Sequence, residues 1–277
     1  MKTISSQKIT DMVSTLCLKA NTLLREDVHA ALEQACRSET NKRGRKILSA
    51  IIDNALIAGK ENLAICQDTG MPCVFVEVGQ DVHITGDLKA AIAAGIERGY
   101  QSGYFRRSII ADPLKRGKPG LTPPVIHSEV VKGDKLKLTV LPKGFGCENK
   151  ARLQMFNPTA KIEDIKRFII EAVKSAGPDA CPPYVVGVGI GGTADYAMLL
   201  AKKALLKNIA HSPRSTVHGL ERELLKEINK LNIGPMGLGG RITALAVNIL
   251  TYPTHIAGLP VAVNISCHAL RSAEGIL

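Results

Sequence analysis

The spacing of the apolar residues changes near residue 58, and this change limits the folds that the chain can adopt. From Ser5 to about Ala58 the apolar residues recur at helical spacing, with further helical segments at residues 28–36 and 45–57. Residues 72–78 then alternate in the manner of a β-strand. We therefore expect an α+β (mixed α/β) fold, in which a helical N-terminal layer packs with a mixed β-sheet.

Helices and strands alternate through the rest of the sequence. Helices are predicted at residues 87–100, 162–175, 194–206 and 217–231. Strands are predicted at residues 135–141, 184–188 and 260–265, and a long loop rich in Pro, Gly and Lys at residues 112–124. Because the sequence shows no internal repeat, low-complexity segment or linker, we expect one domain over residues 1–277.

The chain carries a surplus of positive charge, with 36 Lys and Arg against 25 Asp and Glu, a net charge of +11. Such a surplus predicts an anionic partner. Aromatic residues make up only 4% and none pair among the basic residues, which argues against nucleic-acid binding. No apolar window approaches the roughly 18 residues of a membrane span, and no secretory signal is present, so we expect a soluble cytoplasmic protein without a membrane partner.

The seven cysteines divide by context. A chain of this length can build a large core and needs no disulfides, so reduced thiols are expected. Three cysteines stand in predicted helices or strands and are expected to pack as small apolar residues: Cys17, Cys36 and Cys73. Four stand beside turns: Cys66, Cys147, Cys181 and Cys267. No CxxC pair occurs, which excludes zinc fingers and ferredoxin spacing, and spacing alone leaves open both a metal site and unrelated buried thiols.

Four motifs occur in a fixed order around these cysteines. They are ICQDTG at residues 65–70, KGFGCENK at 143–150, ACPPYVVGVGIGG at 180–192 and HIAGLPVAVNISC at 255–267. Together they resemble the iron-sulfur hydro-lyases that comprise class I fumarases and L-tartrate dehydratases. The similarity runs from the helical start to the last cysteine, so the chain resembles the whole alpha subunit of a two-subunit member.

The resemblance implies a [4Fe-4S] cluster held at loops and turns by Cys66, Cys181 and Cys267. Three thiolates leave one iron open, and that iron would act as a Lewis acid on the substrate. Cys147 falls where family members commonly carry serine and some tartrate dehydratases carry cysteine, so it is not expected to be a ligand. Phe145 stands in place of a glycine of the family's triple-glycine segment.

The resemblance also implies a set of substrate-binding residues. Gln67 and Asp68 correspond to the family's substrate-binding pair, although Asp68 also suits a turn cap. In YFRRS, Arg106 rather than Arg107 matches the family's arginine and would clamp a carboxylate. Gly144 would offer its backbone, and His255 would bind a substrate oxygen or shuttle protons. The catalytic residues would be His255, Asp68 and Arg106.

We therefore predict the cluster-bearing alpha subunit of a fumarate hydratase that interconverts fumarate and (S)-malate. The ENK after Cys147 and the GIGGTA at residues 189–194 favour this activity over L-tartrate dehydratase, which is the alternative. The family implies a separate beta subunit carrying the proposed base, and hence a hetero-oligomer. A dicarboxylate substrate or an acidic partner would explain the basic surplus, while Lys202, Lys203 and Lys207 are expected to be solvated on helices.

Two alternatives come from other classes. A carrier or sensor would hold its iron-sulfur cluster with four protein ligands. Gly187, Gly189 and Gly192 fit the G-x-G-x-x-G of nicotinamide-dependent oxidoreductases, between a predicted strand and helix. That fingerprint needs an acidic residue about 20 positions later, and none occurs between Asp195 and Glu221. We therefore interpret the glycines as close packing beside the cluster.

Overall fold

The helices and strands follow the predicted alternation along the chain. A computed structural model describes residues 2–209 and 217–277. Its helices are α1 (Ser6–Thr22), α2 (Glu26–Ser38), α3 (Lys42–Glu61), α4 (Leu88–Ser102), α5 (Phe145–Glu148), α6 (Ile162–Ala176), α7 (Ala194–Ala204) and α8 (His218–Asn229). Its strands are β1 (Lys2–Ser5), β2 (Met71–Gly79), β3 (Val82–Thr85), β4 (Val125–Val131), β5 (Leu136–Lys143), β6 (Arg152–Phe156), β7 (Tyr184–Gly192), β8 (Ala244–Thr254), β9 (Leu259–Ser266) and β10 (Ala273–Ile276).

The chain forms two compact units, each built from separated segments. The first unit comprises Met1–Arg25, Ala55–Phe145 and Arg271–Leu277, and the second comprises Glu26–Asn54 and Gly146–Leu270. Neither unit is a continuous stretch of sequence. That residues 1–277 act as one catalytic domain stays a prediction.

The first unit is built on a mixed sheet covered by two helices. Its strand order is β10-β5-β2-β4, with β2 parallel to β4 and antiparallel to β5. Side chains of α1, α4, β2 and β5 form one buried apolar cluster. The two helices touch closely because Gly95 and Gly99 have no side chain: an added Cβ would lie 2.7 Å from the Thr10 carbonyl oxygen and 2.8 Å from that of Ser14. The loop that enters β2 contacts α4, because the Tyr100 hydroxyl donates to the Thr69 carbonyl oxygen.

The second unit has a mixed sheet with helices on both faces. The strand order is β6-β9-β7-β8, with β7 parallel to β8 and antiparallel to β9. Apolar side chains of α6 and α8 pack on the sheet in one cluster. On the opposite face Ala197 and Ala201 of α7 pack with Ala262. The sheet therefore presents two ends, each carrying loops that connect its strands.

The predicted α+β fold class is confirmed. The N-terminal α1 packs on the mixed sheet of the first unit, as expected of the helical layer, while α2 belongs to the second unit. The strand predicted at residues 184–188 continues to Gly192, so the expected end at residue 188 is wrong. Six strands were not predicted: β1, β3, β4, β6, β8 and β10. For β8 the reason is its near-continuous apolar run, ALAVNIL, which periodicity alone cannot assign to a strand.

Among the described residues, no helix has both the length and the apolar content to cross a membrane.

Candidate functional site

The ICQDTG motif forms an irregular loop between α3 and β2 in the first unit. The Cys66 thiol is half-buried and lies 3.4 Å from Oε1 of Gln67, to which it donates a hydrogen bond. Gln67 itself is exposed. Cys66 is thus outside the regular elements, in a setting that leaves its sulfur within reach of a ligand.

The Asp68 carboxylate fastens this loop to its neighbours. Oδ1 accepts from the Gly70 N–H at 3.0 Å, and Oδ2 accepts from the Phe145 N–H at 2.9 Å. The Arg271 guanidinium donates to the Asp68 carbonyl oxygen. An added Cβ at Gly144 would lie 3.2 Å from Oδ2, so a side chain there would require a small shift of the Asp68 carboxylate. These bonds fit the turn-capping role weighed for Asp68, and its contact with substrate stays a prediction.

Thr69 connects the YFRRS segment, residues 104–108, to the ICQDTG loop. Its Oγ1 accepts from the Arg106 N–H at 3.1 Å, and the Thr69 side chain is buried. The buried Tyr100 hydroxyl donates to the Thr69 carbonyl oxygen at 2.8 Å. Because the Arg106 side chain remains exposed, its guanidinium is available to an anion. The first unit therefore brings together four predicted residues: Gln67, Asp68, Arg106 and Gly144.

Sequence reasoning missed Thr69 and Tyr100, which hold these loops together. Burial raises the pKa of Tyr100, and the neighbouring Cys17 thiol raises it further. The phenol therefore stays protonated and acts as a hydrogen-bond donor throughout the physiological range. Thr69 stands inside the quoted motif, but the sequence does not show that its hydroxyl points at residue 106.

Cys181 and Cys267 lie at one end of the sheet in the second unit. Val185 pairs with Ser266 across the antiparallel β7 and β9. The residues before β7 and those after β9 therefore lie at the same end of the sheet. The His268 N–H donates to the Cys181 carbonyl oxygen at 3.3 Å. Both cysteines are half-buried. Cys181 has φ 55°, a left-handed conformation that a non-glycine residue keeps only when its surroundings impose it.

Cys147 packs in the apolar core of the second unit. It is 5% exposed, and its thiol donates to the Ala180 carbonyl oxygen at 3.4 Å. This burial matches the expectation that Cys147 is not a ligand, which stays a prediction. Of the other three cysteines, Cys17 and Cys73 are buried as expected and Cys36 is half-buried.

His255 lies at the opposite end of the same sheet from Cys267. It occupies the exposed turn between β8 and β9, where its Nδ1 accepts from the Ala257 N–H at 3.2 Å. This bond leaves Nε2 as the nitrogen for a substrate. Strand β9 (Leu259–Ser266) separates His255 from Cys267, and at about 3.4 Å per residue its length is roughly 24 Å. Within one copy of the chain, the structure does not bring these two predicted residues together.

The glycine run of β7 is covered rather than open. Gly187 and Gly189 pair with β8 on one side and β9 on the other. An added Cβ on either would lie 2.1 Å from a carbonyl oxygen of α7, that of Ala201 or Ala197. The interpretation as close packing is confirmed, because a dinucleotide phosphate has no access to these backbone atoms. The run leads away from Cys181, and its expected position beside a cluster stays a prediction.

Two of the lysines predicted to be solvated form ion pairs in the second unit. Lys202 Nζ lies 2.5 Å from Oε1 of Glu148, and the Lys202 side chain is only 16% exposed. Lys207 Nζ lies 3.2 Å from Oε1 of the buried Glu221. The prediction of solvated helix lysines is wrong for these two, because their acidic partners lie 54 and 14 residues away in the sequence and meet them only in the fold.

The chain is similar to known proteins over nearly its full length. The family model for fumarate hydratase (Fumerase) matches residues 10–276. A putative L(+)-tartrate dehydratase subunit alpha of Methanocaldococcus jannaschii is 42% identical over 275 residues, covering 96% of each chain. The L(+)-tartrate dehydratase subunit alpha of Escherichia coli strain UTI89 is 30% identical over 269 residues, covering 95% of this chain and 89% of the relative.

These similarities define an enzyme of the hydro-lyase class. The chain belongs to the fumarate hydratase (Fumerase) family, as the four motifs predicted.

Proposed function

We propose that the chain is the cluster-bearing alpha subunit of a class I fumarate hydratase that interconverts fumarate and (S)-malate in the cytoplasm. The observation that carries this proposal is the family match over residues 10–276, which spans all four motifs. The exposed Arg106 and Gln67 on tethered neighbouring loops support a site for a small dicarboxylate.

The thiols fit an iron-sulfur cluster in their chemistry. Cys181 and Cys267 lie at one end of the sheet in the second unit, and Cys66 has a half-buried thiol on the ICQDTG loop. Within residues 2–209 and 217–277, no three His, Cys, Asp or Glu side chains are grouped to hold a single metal ion. A four-iron cluster takes its thiolates on separate irons, so it does not need them gathered around one point. Cys66, Cys181 and Cys267 would hold the cluster, which when bound supplies a Lewis-acidic iron.

The chain's own residues would bind and orient the substrate. The Arg106 guanidinium grips one carboxylate through two parallel N–H bonds, while the Gln67 amide donates to a substrate oxygen. Asp68 holds the ICQDTG loop against the start of α5, because its two carboxylate oxygens accept from the Gly70 and Phe145 N–H groups. The base that removes the proton from carbon is assigned to a separate beta subunit. The names of the relatives, which are alpha subunits, support such a partner.

The first experiment tests the cluster. The chain is reconstituted anaerobically, and its iron and sulfide are measured in the wild type and in Cys66→Ser, Cys181→Ser and Cys267→Ser. Cys147→Ser is the matched control, because Cys147 is also a cysteine beside a turn but is buried in the core. We expect loss of bound cluster in the three variants and retention in the control. A wild-type chain that takes up no iron would overturn the proposal.

L(+)-tartrate is the second candidate substrate, and the names of the relatives favour it. An assay of (S)-malate against L(+)-tartrate, with the beta subunit present, decides between them. We expect kcat/KM to be higher for malate, and a higher value for tartrate would reassign the substrate. The isolated alpha chain with a reconstituted cluster should show negligible turnover of either acid.

A further inference from the structure

Glu148 lies at the centre of a polar network in the second unit. Its Oε1 accepts from Lys202 Nζ at 2.5 Å, and its Oε2 accepts from Asn264 Nδ2 at 3.2 Å. The Glu148 side chain is 22% exposed and Asn264 is fully buried. Oδ1 of Asn264 has no hydrogen-bond partner among the described residues. The amide of Asn264 is therefore oriented by Glu148 rather than by its own strand.

The neighbours of Glu148 contact the residues that precede Cys181. The Cys147 thiol donates to the Ala180 carbonyl oxygen at 3.4 Å, and Lys150 Nζ lies 2.9 Å from Oδ2 of Asp179. The segment 147–150 therefore binds the chain one and two residues before Cys181.

The same segment reaches the strand that leads to Cys267. Asn264 stands on β9, three residues before this cysteine. Cys181 and Cys267 emerge together because β7 and β9 pair, but their loops extend beyond that pairing. Glu148 adds a second connection, since its carboxylate binds β9 while its neighbours bind the loop of Cys181.

Surface ion pairs contribute little to stability, but the ion pair between Lys202 and Glu148 is half-buried. Glu148 also binds the buried amide of Asn264. Removing one partner of such a network leaves a desolvated charge or an unpaired polar group. The cost should appear locally, in the segments that the network connects.

We propose that Glu148 is a positioning residue that sets the relative placement of the segments carrying Cys181 and Cys267. This inference rests on the proposed function, in which those two thiols hold iron. Glu148 does not ligate iron itself. It acts through Cys147 and Lys150 on one segment and through Asn264 on the other.

The test compares Glu148→Gln with Glu223→Gln in the alpha chain. Glu223 is the matched control because Lys166 Nζ lies 2.7 Å from its Oε1, in the same unit but between α6 and α8. The first readout is the alkylation rate of Cys147 in the cluster-free chain, followed by mass spectrometry. The second readout is the rate at which a chelator removes iron from the anaerobically reconstituted chain.

We expect both rates to rise about tenfold in Glu148→Gln and to stay within about twofold of the wild type in Glu223→Gln. Lys202→Met should behave like Glu148→Gln, and Lys202→Arg, which keeps the ion pair, should restore the wild-type rates. This rescue separates positioning from a general loss of stability and stays informative if Glu148→Gln does not fold. Equal rates in Glu148→Gln and Glu223→Gln would overturn the inference.

Failure of the proposed function gives a different result. A wild-type chain that takes up no iron contradicts the cluster assignment, while the alkylation rate of Cys147 still reports on the network. A raised alkylation rate with unchanged iron release would contradict the positioning of Cys181 and Cys267.

Discussion

Individual residues show how far a motif can predict a site. The motifs predict Gln67, Asp68, Arg106 and Gly144 as site residues, and the structure places all four on neighbouring loops of one unit. The hydrogen bonds that hold those loops were not predictable. Asp68 binds backbone 77 residues away and Thr69 binds backbone 37 residues away, and such pairings depend on long-range register. The motif gives the residue type at each point, whereas the fold decides which side chain faces which.

Tyr100→Phe tests the anchor of the ICQDTG loop. The variant removes the donor to the Thr69 carbonyl oxygen in a buried setting, so the free energy of unfolding at pH 7 should fall by about 1–3 kcal/mol. The control is Tyr104→Phe, because Tyr104 is 96% exposed and its hydroxyl faces water. Unfolding in urea under anaerobic, reducing conditions provides the measurement.

The same variant should change the dependence of stability on pH. Burial raises the folded-state pKa of Tyr100, while an unfolded tyrosine ionises at about pH 10. Above that pH the unfolded chain releases a proton that the folded chain keeps, so the stability of the wild type should fall as pH rises. Tyr100→Phe lacks this contribution, and its deficit should narrow between pH 9 and pH 11. Parallel stability curves would contradict the assignment.

At the scale of elements, the close contact between α7 and β7 accounts for glycines that resemble a dinucleotide-binding motif. A helix can approach a strand this closely only where the strand carries glycine, and Gly187 and Gly189 both face carbonyl oxygens of α7. The pattern G-x-G-x-x-G is therefore satisfied by packing. The strand and the helix were predicted from the sequence, but their separation was not, because it depends on the side chains of Ala197 and Ala201 opposite.

Gly189→Ala should force α7 away from the sheet. The added methyl group would lie 2.1 Å from the Ala197 carbonyl oxygen and 2.7 Å from the Ala201 nitrogen, so we expect a loss of roughly 3 kcal/mol in the free energy of unfolding. Gly219→Ala is the control, because an added Cβ on Gly219 in α8 has no atom within 4 Å. That variant should gain up to about 1 kcal/mol of helix propensity. Equal urea midpoints for the two variants would show that α7 does not press on β7.

For the whole molecule, the division into two units was the feature that the sequence concealed. The chain passes from one unit to the other after Arg25, Asn54, Phe145 and Leu270. Asn54 lies within α3, and Phe145 begins α5 between Gly144 and Gly146, which are two isolated glycines and not the longer Pro, Gly and Ser run of a linker. Sequence reasoning detects boundaries by composition, and a boundary inside a helix leaves no such signal.

The position of His255 makes a prediction about assembly. Its turn and Cys267 stand at opposite ends of β9, so a histidine that serves a cluster held by Cys267 has to come from a second copy of the alpha subunit. The turn is exposed, and Ile256 beside His255 is 89% exposed. We therefore predict that His255→Gln and Cys267→Ser chains, each inactive when prepared with the beta subunit, complement one another when mixed. In randomly exchanged dimers half the molecules are mixed and each has one intact site, so about a quarter of the wild-type activity should return.

His255→Gln mixed with His255→Ala is the control and should stay inactive. Absence of recovery in mixtures shown to contain both chains would place the action of His255 away from the cluster.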